Sequence, residues 1–245
     1  MGAADYFWIP ASLGMGLLGQ IRYQGMEPVD TAALDPARDL WAMDRWAAGN
    51  YSPPADLASN LMIYPMVAVP LAAAYWERAR GRQGWEGFGG EAAAYLEALS
   101  FSSGLDLWVR SLRVHARPLV YARNAPADKR LKGEASGSFY SGHANAAFLS
   151  ATFFSYTWAL RHPGDRSNAW VWTGALAAAT GVAGLRIAAG KHYLSDVLVG
   201  AVSGAGFGIL FPWMHRRSGS AGGDGAKAVR LEMMRGIYPA VTFRF

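Results

Sequence analysis

The sequence contains no cysteine, which excludes disulfide scaffolds, zinc ribbons and thiol nucleophiles and leaves the redox compartment open. It is also short of charge: Asp, Glu, Lys and Arg make up 17% of its 245 residues, against roughly 25% in an average soluble domain. Aromatic residues, at 13%, exclude an intrinsically disordered chain, which would be poor in rings and rich in charge. Acidic residues are the scarcer sign, 18 against 23 Lys and Arg. The resulting net charge of +5 suits an anionic partner, whether nucleic acid, lipid headgroup or phosphorylated substrate.

Charge is absent from whole blocks of the chain. Residues 6–21, 57–76, 144–160, 168–185 and 197–214 form runs of 16, 20, 17, 18 and 18 residues without Asp, Glu, Lys or Arg. A bilayer core about 30 Å thick takes roughly 20 helical residues. A sixth block, residues 92–109, is interrupted by Glu97 and Asp106. A soluble helical protein with very apolar core helices would be left with little polar surface, so the pattern favours an all-α, multi-pass membrane bundle of about six transmembrane helices. The first block has no basic leader or cleavage site, and it reads as a span rather than a signal peptide. Gly204 and Gly208 form a small-xxx-small face for close helix packing.

Residues 1–217 read as one membrane-embedded domain and residues 218–245 as a tail of unassigned role, opening on a Gly/Ser-rich loop and ending in a strand-like alternation over 238–245. Between the first two spans, residues 36–48 read as a surface helix with Leu40, Trp41, Met43 and Trp46 at the membrane interface. If the spans alternate direction, Arg78, Arg80, Arg82, Arg161, Arg166, Arg216 and Arg217 share one side, which reads as cytoplasmic. The basic stretch 110–132 falls on the other side and breaks that rule, unless its cations are kept for an anionic ligand.

Three segments on that other side carry chemistry. In the first, Arg110, Arg113 and Arg117 follow i, i+3, i+7, a single helical face ending before Pro118, with Asp106 placed to orient Arg110. Forked guanidinium donors of this kind suit a tetrahedral oxyanion. In the second, Ser141 is a plausible N-cap, Gly142 permits close approach of a ligand, and His143 lies in the first turn of a helix whose N-terminus favours phosphate. The third runs from Arg186 through Lys191 and His192 to Asp196, where an i, i+4 carboxylate can hold one imidazole nitrogen and leave the other free. Each segment alone also admits a bland reading: a solvated basic face, a chance tripeptide, or an interfacial His beside an Asp.

Together, Arg-x-x-x-x-x-x-Arg-Pro, Ser-Gly-His and Arg-x-x-x-x-x-His-x-x-x-Asp closely resemble the motif set of the type 2 phosphatidic acid phosphatase superfamily, which includes bacterial acid phosphatases and vanadium haloperoxidases. The resemblance implies that His192 is the nucleophile forming a phosphohistidine, Asp196 orients it, and His143 serves the leaving group and then water. It also implies that Arg110, Arg117, Arg186, Ser141 and Gly142 hold the phosphoryl oxygens. Outside the motif, Arg113, on the same face, and Lys191, beside His192, are candidate additional contacts with phosphate and headgroup. No metal or other cofactor is implied, and neither a nucleic acid nor an obligate protein partner. The expected partners are the bilayer and a lipid phosphate or diphosphate substrate: phosphatidic acid, phosphatidylglycerol phosphate, an isoprenyl diphosphate or a lipid A phosphate. The expected location is a bacterial inner membrane, with the site facing the periplasm or exterior. Three positions depart from the family pattern: Arg110 for Lys, Tyr140 for Pro and Leu185 for Ser. A broad-specificity soluble or periplasmic acid phosphatase, a vanadium haloperoxidase and a non-catalytic lipid-binding membrane protein remain as alternatives.

Overall fold

The structure, a computed structural model, describes residues 5–31 and 34–219. All regular structure among them is helical. Six long helices, α1 (Asp5–Gln24), α3 (Pro53–Ala79), α4 (Trp85–Arg110), α6 (Gly142–Arg161), α7 (Ser167–Ala188) and α8 (Leu194–Gly219), match the six apolar blocks. Two single turns, α2 (Pro36–Asp39) and α5 (Ala127–Arg130), lie in the connections. Three of the six, α3, α7 and α8 as far as Arg216, are long and apolar enough to cross a membrane. Of the other three, α4 carries buried Glu97 and Asp106. The expected tail from residue 220, including its strand-like end, lies outside the described residues.

The exterior supports the membrane reading. On α1, Leu13, Leu17, Leu18 and Ile21 are exposed along one stripe, and so are Leu57, Leu61 and Tyr64 on α3. Such apolar faces are foreign to a water-soluble surface and ordinary against lipid. Exposed tryptophans gather at the two ends: Trp41 and Trp46 at one, Trp76, Trp85 and Trp170 at the other. This is the disposition of rings at the two interfaces of a bilayer. The 27 residues of α3 extend for about 40 Å at 1.5 Å per residue, enough to link the two belts.

Helix α6 is the central post. One side packs Leu149 and Phe153 against Ala94, Tyr95 and Ala98 of α4 and Phe211 of α8, with the Tyr95 and Phe153 rings 4.9 Å apart. The other side packs Ala147 and Ala151 against Ile63 of α3 and Ala179 and Val182 of α7. Close approach to α8 needs glycine: a Cβ at Gly200, Gly204 or Gly208 would strike the α6 backbone or side chains at Ser141, Asn145 and Leu149–Thr152. The small-residue face read at Gly204 and Gly208 thus extends one turn further, to Gly200, where it sets the second and third motifs side by side.

The segment expected as one surface helix, 36–48, is broken instead. Helix α2 stops at Asp39, residues 45–47 make a separate 3-10 turn, and Leu40 is buried while Trp41, Met43 and Trp46 stay exposed. The break turns Asp44 inward. There its carboxylate accepts from the Ser195 backbone N–H at 3.0 Å and the Ser195 hydroxyl at 2.6 Å, capping the start of α8.

Candidate active site

Backbone bonds between the motif segments build the site at one end of the bundle. Helix α7 ends at Ala188, and just beyond its C-cap Gly190, with φ +73°, turns the chain tightly against Asn50; a Cβ there would strike the Asn50 carbonyl. The Leu119 N–H donates to the Gly190 carbonyl at 2.9 Å, tying the first segment to the third. The Ser141 N–H donates to the Asp196 carbonyl at 3.1 Å, tying the second to the third. The Ser141 hydroxyl caps α6 by accepting from the Ala144 N–H at 3.3 Å.

His192 lies just before α8 and is 1% exposed. Its Nδ1 is 2.9 Å from the Ser138 carbonyl oxygen. A carbonyl can only accept, so Nδ1 carries the proton and Nε2 keeps a free lone pair. Burial holds this ring well below the usual histidine pKa, against the opposing pull of Asp196, so it is neutral. The direct contact expected from Asp196 is replaced: its Oδ2 lies 3.5 Å from Nδ1, too long for a good hydrogen bond. That oxygen accepts instead from the Ser138 hydroxyl at 2.5 Å and the Tyr193 N–H at 2.9 Å. Asp196 therefore fixes the loop whose carbonyl fixes His192. Buried His115, not singled out in the sequence, places Nε2 3.3 Å from Asp196 Oδ1 and stands edge-on to the Trp41, Phe139 and Tyr193 rings.

The cations converge from several elements. Arg110, at the end of α4, donates through Nε (3.2 Å) and Nη2 to the Asp106 carboxylate, the orienting partner read from the sequence. This pair lies over Gly142, where a Cβ would strike both side chains. Arg117 is buried and donates to the Tyr23 hydroxyl of α1 at 2.6 Å; burial lowers its pKa from the ordinary arginine value. Arg186 donates to Asp56 at 2.7 Å and to the Ser59 hydroxyl at 3.2 Å. Lys191 places Nζ 3.1 Å from the other Asp56 oxygen, and burial lowers its pKa. His143 sits in the first turn of α6 with Nε2 2.9 Å from Asn60 Oδ1, in the combined field of Arg186, Arg110, Asp56 and Arg117.

Arg113 does not join them. Helix α4 ends at Arg110, Arg113 takes φ +56°, and its guanidinium donates to the Glu27 carbonyl at the exposed surface. The expected i, i+3, i+7 face is therefore interrupted after its first member. The residues that sequence reasoning missed are chiefly Asp56, Ser59 and Asn60 on α3. The available signal was three polar side chains at i, i+3, i+4 in the opening turns of an otherwise apolar span.

An anion entering this end would meet fixed guanidinium forks, an ammonium and the N-terminal turn of α6 beside a neutral imidazole with an available lone pair. No curated protein matches the chain. Its fold is similar to that of the first transmembrane PAP2 type phosphatidylglycerolphosphate phosphatase from Bacillus subtilis. The TM-score is 0.51 at 19% sequence identity, covering 84% of this chain and 96% of that one. The sequence itself matches the PAP2 superfamily over residues 92–220, more than half its length and all three motif segments, and the chain belongs to that superfamily.

Proposed function

We propose that this protein is a membrane phosphatase that hydrolyses a lipid phosphate through a phosphohistidine, with phosphatidylglycerol phosphate the first substrate to test. The observation that carries the reading is the neutral, buried His192, its Nε2 lone pair free, at the bundle end where Arg110, Arg117 and Arg186 converge. The B. subtilis neighbour, named for that lipid, supports the choice of first substrate.

In the proposed reaction, Nε2 of His192 attacks phosphorus as the P–O bond to the lipid breaks, and the leaving oxygen takes a proton from His143. His143 then removes a proton from water, the oxygen attacks phosphorus, and the P–N bond breaks to restore neutral His192. Arg110, Arg117 and Arg186, with the Gly142 amide and Ser141, stabilise the charge on the phosphoryl oxygens in both steps. Lys191 extends the basic wall toward the headgroup. The lipid-exposed face of α3, with Leu57 and Leu61 beside this end, lets acyl chains stay in the bilayer while the headgroup enters.

The test is phosphate release by detergent-purified protein with EDTA present. The panel is phosphatidylglycerol phosphate, phosphatidic acid, an isoprenyl diphosphate, a lipid A phosphate and a water-soluble phosphomonoester. Turnover of a lipid far above the soluble ester, lost in His192→Ala and His143→Ala, is expected. Full activity in folded His192→Ala would overturn the mechanism, and equal turnover of the whole panel would replace it with a broad acid phosphatase.

A further inference from the structure

Helix α3 contributes no residue to the three motif segments, yet it forms a wall of the site. Asp56, Ser59 and Asn60 share one face at i, i+3, i+4. Asp56 and Ser59 are occupied with Arg186 and Lys191, whereas Asn60 reaches a different target, the imidazole of His143. We propose that Asn60 is a positioning residue for His143, holding its Nε2–H so that Nδ1 is the nitrogen that exchanges protons with the leaving oxygen and the attacking water. The proposal rests on the proton-transfer role given to His143 above.

The chemistry follows from the donor inventory. An amide oxygen only accepts, so a contact of 2.9 Å between Asn60 Oδ1 and Nε2 puts the neutral ring's proton on Nε2 and its lone pair on Nδ1. Asn60 orients the ring as a carboxylate would, but without a charge that favours the imidazolium. When the phosphate monoanion of the substrate hands its proton to Nδ1, the imidazolium so formed gives that proton up readily to the departing alkoxide. The charged groups that face His143 are Asp56 from α3, Arg110 from α4, Arg117 from the loop after it and Arg186 from α7. Helix α8 brings His192 and Asp196 to the same end of the bundle, where they are engaged with Ser138. Asp106, paired with Arg110, lies over the neighbouring Gly142. A negative charge introduced at position 60, within hydrogen-bond distance of Nε2, has an unambiguous sign: it favours protonated His143.

The test uses the full-length protein in detergent micelles, labelled with 15N-histidine, the His143 resonances being those lost in His143→Ala. The expected spectrum shows the Nε2–H tautomer for His143. Asn60→Asp, which has nearly the same shape, raises the His143 titration by about one unit or more. Asn60→Ala leaves a mixture of tautomers. With phosphatidic acid micelles as the activity probe, Asn60→Ala lowers kcat by about 10- to 100-fold with little change in KM. Asn60→Asp moves the basic limb of kcat/KM to higher pH, a displacement that loss of packing would not produce. A His143 tautomer and titration unchanged in both variants overturns the proposal. Full activity in folded His143→Ala overturns the function assigned to that histidine instead, and the spectra still decide what Asn60 does to the ring.

Discussion

The two ends of the bundle use the same chemical parts to opposite effect. At the far end, Glu77 meets Arg82 at 3.3 Å, Glu91 meets Arg161 at 2.5 Å, and deeper in the same half Glu97 meets His215 at 3.2 Å. Glu91 joins α4 to α6 and Glu97 joins α4 to α8, and two further basic residues of this end, Arg78 and Arg80, lie over the rings of Trp85 and Trp76. At the site end, four basic side chains, Arg110, Arg117, Arg186 and Lys191, draw on two carboxylates, Asp106 and Asp56, with a phenol hydroxyl for Arg117. Paired charge in a partly dry setting ties helices together, whereas a surplus of fixed cations leaves donors for a ligand that brings its own negative charge. The difference between a tie and a receptor thus lies in how the cations share their carboxylates: Arg161 has Glu91 to itself through a close contact, whereas Arg186 and Lys191 divide Asp56 between them.

The comparison breaks first at Arg186. Arg186→Ala removes a fork and leaves the Asp56 carboxylate facing an incoming phosphate, and phosphate release should fall by roughly 10²- to 10³-fold. Arg186→Lys restores the charge without the fork and recovers part of that loss. Phosphate release at saturating lipid, with the thermal midpoint as a folding control, is the measurement. At the far end the opposite is expected. Glu91→Ala strips Arg161 of a carboxylate in a setting where both side chains are mostly buried, and should cost about 2 kcal/mol of stability. Below the unfolding transition its turnover should be unchanged. Thermal unfolding in detergent with activity measured on the same sample separates the two, and a far-end variant that lost turnover while still folded would dissolve the distinction.

A smaller effect sharpens the comparison through pH. Burial keeps His192 neutral well below the ordinary histidine value of 6.5. Because its folded pKa is depressed, the nucleophile stays deprotonated as pH falls through 6.5 and is lost only nearer the folded value. The stability that goes with the neutral buried ring is complete above about pH 6.5 and declines as the unfolded chain begins to bind the proton more readily than the folded one. Acid-quench trapping of 32P-labelled protein at pH 5.5 and 7 should give similar rates of phosphohistidine formation. A tenfold drop at pH 5.5 would show that His192 titrates as an exposed histidine does.

Much of the fold was legible because the bilayer imposes one pattern on both sequence and structure: charge-free runs became helices with bounds extended by a few polar residues at each end. The Asp106–Arg110 pair was readable for the same local reason, four residues being one helical turn. Arg113 leaves the face its spacing predicts because the helix stops well short of Pro118. The helix ends at Arg110, where the Ser111 hydroxyl donates to the Trp108 carbonyl and frees the chain to swing Arg117 toward Tyr23. Asp56 and Asn60 were invisible for a different reason. Their partners Arg186 and His143 are 130 and 83 residues away, and only the packing of α3 on α6 and α7 brings them together.

The smallest expected effect concerns Ser138, where a backbone and a side-chain role can be separated. Its carbonyl accepts from His192 and its hydroxyl donates to Asp196, with the Lys191 carbonyl a longer second acceptor at 3.2 Å, so Ser138→Ala spares the contact to His192 and removes those of the hydroxyl. Asp196 Oδ2 keeps the Tyr193 N–H at 2.9 Å, and Oδ1 keeps His115 at 3.3 Å. Losing one charge-assisted bond from a network that retains its other members corresponds to about 1–1.5 kcal/mol, or roughly 5- to 10-fold in kcat. Asp196→Ala removes the anchor of the whole loop and should cost far more. If Ser138→Ala matched Asp196→Ala, the hydroxyl would be the main link from carboxylate to imidazole. If it had no effect, the Tyr193 amide alone would suffice to hold Asp196. The intermediate loss is expected because the carbonyl that fixes the His192 tautomer is backbone, and no side-chain substitution at position 138 removes it.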